Sequence, residues 1–221
     1  MRTVAINIGT NLGDRRANIE FALARIAGFA SDLQTSHIYE SESWGYTSCN
    51  PYYNIGATFS SDESPHDIYE RLHAIECEAQ SSVHRNADGT YADRRLDIDI
   101  IYIGNEIYNG EIIIPHPRMH LRSFVLLPLL ELTPDWRHPL VGKTIRQLAS
   151  LLDVEGLEVR VRKGYISNKK SITNQRFAML SLCTRDRTRT DKVVTPLEPE
   201  TSASTNFATR VCDRKDSAKK L

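Results

Sequence analysis

The sequence lacks the features that mark several large classes of protein. Its four cysteines, Cys49, Cys77, Cys183 and Cys212, lie far apart with no C-x-x-C pair. Neither a zinc site nor a redox motif is indicated, and they read as free thiols of a reducing compartment. No run of about 18 apolar residues exists to span a membrane. The apolar run in the opening MRTVAINIG is too short for a signal peptide, so the cytoplasm is the expected address. Net charge is also missing, but the balance is uneven: residues 1–163 carry 16 basic and 22 acidic side chains, a net −6, and residues 164–221 carry 12 and 6, a net +6. An acidic body lacks the surplus basic charge that nucleic-acid binding needs. A phosphate site here requires metal ions or a local arginine cluster. The glycine-bearing stretch Ile8-Gly9-Thr10-Asn11-Leu12-Gly13-Asp14 has neither the G-x-x-x-x-G-K-[ST] nor the G-x-G-x-x-G spacing. Its plain reading is a tight turn capped by Asp14.

What is present is an ordinary globular composition, 40% hydrophobic and 25% charged over 221 residues, enough to bury one core. Residues 3–8 alternate β-branched and small side chains and stop at Gly9, the pattern of an opening strand. Asp14 is placed to cap a helix in which Ile19, Leu23, Ile26 and Phe29 recur at helical spacing. Residues 33–42 and 53–60 read as strands joined by a loop, 43–51. Ser64-Pro65-His66-Asp67 combines a capping serine, a proline at the first helical position and an acid three after the cap. Ile68, Leu72, Ile75 and Ala79 give that helix its buried face, with Glu76 beside it. A polar loop, 81–94, leads into a strictly alternating strand, 96–100, and its stretch 81–93 is long enough to serve as a lid.

The order β-α-β-β-α-β predicts a ferredoxin-like α+β core: a split βαβ unit with an antiparallel-rich sheet and two helices on one face. Beyond it, residues 112–114 read as an edge strand, 122–132 as an apolar helix interrupted by Pro128, 144–152 as a helix and 157–161 as a last strand. The expected domain is 1–163. Residues 164–221 are basic, hold 14 serines and threonines and show no hydrophobic period. They predict a disordered tail without a role in function.

The most informative stretch is Arg94-Arg95-Leu96-Asp97-Ile98-Asp99-Ile100. Residues two apart on a strand share a face and lie about 6.6 Å apart, so Asp97 and Asp99 point together while Leu96, Ile98 and Ile100 fill the core. A divalent cation relieves the repulsion of the two charges. Two hard carboxylates suit magnesium, which takes its other ligands from water and substrate phosphates. The alternative is a strand whose solvent face simply carries two acids. Arg94 immediately precedes the pair, His84 and Arg85 lie in the loop before it, and His116 and Arg122 follow. Clustered arginines bind phosphate oxygens bidentately, although each one singly reads as a solvated surface residue. Trp44, Tyr52, Tyr53 and Phe124 with Asn54 offer faces and an amide edge for a flat heterocycle, or else fill the core.

In chain order, the Ile8 to Asp14 stretch, Tyr52-Tyr53-Asn54, Ile75-Glu76, the Arg94 to Ile100 stretch, Pro115-His116-Pro117-Arg118-Met119 and Arg122-Ser123-Phe124 resemble the 6-hydroxymethyl-7,8-dihydropterin pyrophosphokinases, over about residues 3–160. The resemblance implies diphosphate transfer from ATP to hydroxymethyldihydropterin with release of AMP, a step of folate synthesis. It implies that Asp97 and Asp99 hold two magnesium ions and act in catalysis with Arg94 and Arg85. Arg94, His116 and Arg122 would meet the ATP phosphates, and Glu76, His84, Tyr91 and Ile100 would line the nucleotide. Tyr52 and Phe124 would sandwich the pterin, with Asn54 and Asp97 at its edge and Ser41 and Trp44 completing the pocket.

Four places depart from the family pattern. Ser81-Ser82-Val83-His84-Arg85 replaces Gly-Arg-x-Arg, leaving His84 or Arg85 as the mobile-loop cation. Ala92-Asp93-Arg94 replaces Gly-Pro-Arg and adds an acid near the phosphates. Ser41-Glu42 replaces Thr-Pro, and Trp44 a small apolar neighbour. The implied partners are small molecules, with no nucleic acid and no membrane. The rival readings are another two-magnesium nucleotidyl or phosphoryl transferase, and a catalytically silent module that binds a nucleotide or a pterin.

Overall fold

The computed structural model describes residues 1–30, 32–79, 92–152 and 160–162. The chain divides into two units, Met1–Lys169 and Lys170–Leu221. The expected tail at 164–221 and most of the proposed lid lie outside the described residues.

The order is β1 (Arg2–Thr10), α1 (Arg15–Ala27), β2 (Gln34–Thr35), β3 (Ile38–Ser41), β4 (Tyr52–Ser61), α2 (Pro65–Glu78) and β5 (Asp97–Ile103). There follow β6 (Tyr108–Asn109), β7 (Ile113–Ile114), a 3-10 turn (Met119–Leu121), α3 (Ser123–Leu132), α4 (Ile145–Ser150) and β8 (Arg160–Arg162). The protein is α+β, with an antiparallel sheet in the order β5-β1-β4-β3-β8 and β2 also paired to β4. The caps read from the sequence are made: Asp14 accepts from the N–H groups of Arg16 and Ala17 and Ser64 from that of Asp67, while Thr144, not read as a cap, accepts from that of Gln147. Each satisfies donors that a helix start leaves without partners.

Four local readings are corrected. The strand expected at 33–42 is broken, because Ser36 donates its N–H to the Gly56 carbonyl and accepts the Gly56 N–H on its hydroxyl oxygen, while the His37 N–H turns to the Glu131 carboxylate on α3. Gly9 does not end β1, which continues to Thr10 with Gly9 paired to both Asn54 and Asp97. The stretch at 112–114 does not join the main sheet: β7 pairs with β6 in a small separate ribbon. Pro128 lies inside an unbroken α3. It gives up one main-chain hydrogen bond, and its ring packs over β4, where a Cβ on Gly56 would come within 2.8 Å of the Pro128 Cβ. Glycine at 56 is what lets helix and strand approach this closely.

Helices cover both faces of the sheet. Val4, Ile6, Ile8, Ile55, Ala57, Phe59, Ile98 and Ile100 cluster with Ile19, Leu23 and Ile26 of α1 and Ile68, Leu72 and Ile75 of α2. Each such side chain contributes about 1.5–3 kcal/mol on burial. On the other face Ala5, Ile101 and Tyr102 cluster with Val125, Leu126 and Leu129 of α3 and with Ile145 and Leu148 of α4. A bulge aids this second core. Ala5 pairs with Tyr102 but Ile6 with Ile100, so Ile101 is an extra residue and both Ile101 and Tyr102 serve the same cluster. The second core covers only part of its face, and the remainder is open.

Candidate active site

The open part is a cleft of about 160 Å³. Its floor is the sheet itself. Asn54, Gly9 and Asp97 lie abreast on β4, β1 and β5, and in the next row Gly56, Asn7 and Asp99 do the same. Alternation alone sends these side chains to the face opposite Ile6, Ile8, Ile55 and Ile98. Gly9 keeps the centre low: a Cβ there would meet the Asn54 Oδ1 at 3.3 Å and the Tyr52 ring at 3.6 Å. Asn54 is buried, and its Nδ2 donates to the Ser41 hydroxyl at 3.0 Å.

Asp97 and Asp99 are half-exposed, and each has its own arginine. Arg94 reaches Asp97 at 2.6 Å and Arg122 reaches Asp99 at 3.1 Å. Both arginines are 8% exposed. Burial opposes the charge on Arg94, but the Asp97 carboxylate outweighs it and holds the pKa above the ordinary value. His116 hangs beside β5, its N–H bonded to the Ile101 carbonyl at 2.8 Å. Burial, with Arg122 and Arg118 nearby, pushes its pKa down to about 3, so the ring is neutral. A neutral imidazole has one acceptor nitrogen. His116 therefore serves either the Arg118 N–H, 3.2 Å from Nδ1, or Arg122, 3.3 Å from Nε2.

The opposite wall comes from the 43–51 loop. Trp44 stands over Arg122, whose guanidinium is 4.9 Å from the Trp44 ring centre and 5.6 Å from that of Phe124. The Tyr46 and Tyr52 hydroxyls are 2.8 Å apart. Burial chiefly raises the Tyr52 pKa, so its phenol stays neutral.

Of the residues singled out in the sequence, the fold brings ten into this cleft: Ser41, Trp44, Tyr52, Asn54, Arg94, Asp97, Asp99, His116, Arg122 and Phe124. Three others are placed elsewhere. Tyr53, grouped with the aromatic faces, packs against the α1/α2 core with the Arg15 guanidinium 3.9 Å from its ring centre. The Ile100 side chain is 7% exposed within the α1/α2 core, so it does not line the cleft. Glu76 is buried behind β5, where it accepts the Ile98 N–H at 2.6 Å and pairs with His73 at 3.2 Å. Its burial, with Asp97 adding to it, raises its pKa to about 7 against the pull of His73. His84, Arg85 and Tyr91, with the departure at Ser82, lie outside the described residues.

Asn7, Tyr46 and Arg118 also line the cleft and were not assigned from the sequence. Asn7 was legible in principle, since strict alternation along β1 puts it on the face of Gly9. Tyr46 sits in a loop with no period to read. Asp93, expected near the phosphates, instead faces the 43–51 loop and accepts from Asn11, Tyr46 and Asn50.

Two buried polar atoms of the cleft, Asn7 Oδ1 and Arg122 Nε, have no hydrogen-bond partner among the described residues. Unpaired buried polar groups cost about 1–3 kcal/mol each, so they point to a polar ligand. No group of three or more metal-ligating side chains exists among the described residues. Asp97 and Asp99 alone are a donor set for a hard cation that draws its other ligands from substrate and water.

Residues 5–134 match the family model described as 7,8-dihydro-6-hydroxymethylpterin-pyrophosphokinase (HPPK). A 2-amino-4-hydroxy-6-hydroxymethyldihydropteridine pyrophosphokinase of Porphyromonas gingivalis is 37% identical over 142 residues, covering 63% of this chain and 95% of the relative. The enzyme of that name from Aquifex aeolicus is 28% identical over 148 residues, covering 66% and 90%. The solved HPPK-DHPS of Plasmodium falciparum has the same fold over 67% of this chain, with a TM-score of 0.53 at 14% identity; the chain spans 42% of that longer protein. By these matches the chain belongs to the 7,8-dihydro-6-hydroxymethylpterin-pyrophosphokinase family.

Proposed function

We propose that this cleft transfers a diphosphate group from ATP to the hydroxymethyl oxygen of 6-hydroxymethyl-7,8-dihydropterin, releasing AMP, as a step of folate synthesis. One observation carries the reading: a pair of adjacent carboxylates, each matched to a buried arginine, shares a single cleft with an aromatic and amide floor. The first set suits a polyphosphate and the second a flat polar ring.

The pterin lies between Tyr52 and Phe124, with Asn54 and Ser41 at its edge and Trp44 closing the outer side. Stacking and fixed hydrogen bonds orient the hydroxymethyl group toward the carboxylate side, so that attack on the β-phosphorus is in line. Arg94 and Arg122 trade part of their carboxylate pairing for phosphate oxygens and stabilise the charge that spreads over them during transfer. His116, neutral, orients Arg122 or Arg118 without adding charge. Asp97 and Asp99 are the residues that would hold two magnesium ions, which when bound would supply positive charge against the phosphates. Arg85 or His84 supplies the further loop cation. We read the sheet order β5-β1-β4-β3 as the ferredoxin-like arrangement, and we place the end of the catalytic domain near residue 163, with 164–221 taking no part.

Incubation with ATP, magnesium and hydroxymethyldihydropterin, with the products identified, tests this reading. AMP and the pterin diphosphate are expected in equal amounts. ADP as the nucleotide product, or binding without turnover, overturns the assignment.

A further inference from the structure

The 43–51 loop forms one wall of the cleft, yet it contains neither strand nor helix. Within itself it is tied by Ser43, whose hydroxyl donates to the Tyr46 carbonyl at 2.5 Å and accepts the Ser48 N–H at 3.2 Å. At its far end Arg15 donates to the Pro51 carbonyl at 2.7 Å. Its middle is fastened to the body of the protein by Asn11, whose Nδ2 reaches the Tyr46 hydroxyl at 3.2 Å and the Asn50 carbonyl at 3.3 Å, and by the carboxylate of Asp93, which takes the shorter bonds. Asp93 Oδ1 accepts from Asn11 Nδ2 at 2.7 Å and from the Tyr46 hydroxyl at 3.0 Å, and Oδ2 accepts from Asn50 Nδ2 at 2.6 Å.

An ionised carboxylate only accepts, and this dictates the direction of the neighbouring bonds. Tyr46 gives its hydroxyl proton to Asp93, so the 2.8 Å contact between the two tyrosines is a bond from Tyr52 to Tyr46. The carboxylate thus fixes the rotor of Tyr52, a residue of the cleft floor, as well as the loop. The hydrogen bonds from the loop and Asn11 hold the Asp93 pKa below its ordinary value in spite of burial, so the charge persists across the working range of pH.

We propose that Asp93 is a positioning residue for the pterin half of the site: it clamps the 43–51 loop and, through Tyr46, orients the Tyr52 hydroxyl. The inference rests on the reading of this cleft as the pterin site. Asp93 touches neither the metal-side carboxylates nor the two arginines through its side chain. The neighbouring Arg94 is held by Asn11, its N–H donating to Asn11 Oδ1 at 2.8 Å and its carbonyl accepting the Asn11 N–H at 3.1 Å, and the second of these is a main-chain bond that the Asp93 carboxylate does not enter. Removing the Asp93 carboxylate therefore loosens the loop and leaves the phosphate side in place.

The test compares the full-length protein with Asp93→Ala and Asn50→Ala. The second variant removes a single exposed contact and keeps the fold even where the first is destabilised. Hydrogen exchange of the 43–51 amides is measured without substrates, and KM for each substrate and kcat are measured with them. For D93A, loop exchange about tenfold faster and a pterin KM about tenfold higher are expected, with kcat and the ATP KM within about twofold. For N50A the same pattern is expected at about threefold. Unchanged loop exchange in D93A overturns the clamp. Faster exchange with an unchanged pterin KM overturns its link to binding. A lower ATP KM with an unchanged pterin KM makes Asp93 a charge that repels phosphate, and also overturns the proposal. If the unaltered protein transfers no diphosphate, the assignment of the cleft fails, while the exchange data still decide the clamp.

Discussion

Along β1, Val4, Ile6 and Ile8 pack against α1 and α2, whereas Ala5, Asn7 and Gly9 look the opposite way. The same strand serves two unlike faces. The first is apolar across its width and sealed by two amphipathic helices. The second is split: α3 and α4 cover the end at Ala5, Ile101 and Tyr102, while the end at Asn7, Gly9, Asn54, Asp97 and Asp99 stays open. The sealed face supplies the stability that allows the open one to hold, in one cleft, two carboxylates, two buried arginines and a buried amide oxygen that has no partner among the described residues. Polar atoms of that kind are costly in the free protein and useful only with a ligand.

The largest expected effect comes from the open face. Asp97→Ala and Asp99→Ala should each lower turnover by about a thousandfold or more, because in the proposed mechanism the lost carboxylate serves the phosphate chemistry rather than the core. Stability should fall by about 1–3 kcal/mol, since both acids are part-exposed but each loss removes an ion-pair partner from a buried arginine. Turnover and a denaturant midpoint, measured side by side, check this. A variant that transfers diphosphate normally removes the pair from the mechanism.

A smaller effect is expected at the boundary between the covered and open ends. Phe124 lines the cleft and also packs against the α3/α4 core. Phe124→Ala should weaken pterin binding about ten- to a hundredfold while ATP binding changes little, the worth of one lost aromatic face. Calorimetric titration with each substrate separates the two. If ATP affinity falls as far as pterin affinity, the half-sites are not divided as described.

The smallest effect lies on the sealed face, where Glu76 is the buried acid among the described residues. Its folded pKa of about 7 exceeds the ordinary 4.5. Between those values the folded state binds more protons than the unfolded chain, so this group makes stability fall as pH rises from about 4.5 to 7. His73, also raised, acts with the same sign above its ordinary value. Glu76→Gln keeps an acceptor for the Ile98 N–H and cannot ionise. Denaturant midpoints across that range should decline more steeply in the unaltered protein than in E76Q. Parallel curves would show that Glu76 is not the source.

Much of the sealed face was legible before any coordinates. The helical spacing of Ile19, Leu23 and Ile26, the capping by Asp14 and Ser64, and the alternation through Ile98 and Ile100 are local patterns, and each is found as read. The sheet's breaks were not legible. Nothing near Ser36 announces that its N–H and hydroxyl both bond Gly56, or that His37 turns to Glu131, because those partners lie 20 and 94 residues away. The covered part of the second face was hidden for a related reason. Pro128 reads locally as a break, and only the bare Gly56 across the interface shows why its ring is accommodated.

The chain's own order of residues thus determined which side chains share a face, because side-chain direction repeats every two residues in a strand and about every 3.6 in a helix. That was enough to set Asp97 beside Asp99 and to separate them from Ile98 and Ile100. Which strands lie side by side, and therefore that Asn54 and Asp97 flank Gly9, was decided only in three dimensions, as was the turn of Asp93 away from the phosphate side toward Tyr46 and Asn50. Hydrogen bonding and close packing act between atoms near in space, and the 43 to 47 positions that separate Asp93 from its loop partners leave no periodic trace in the sequence.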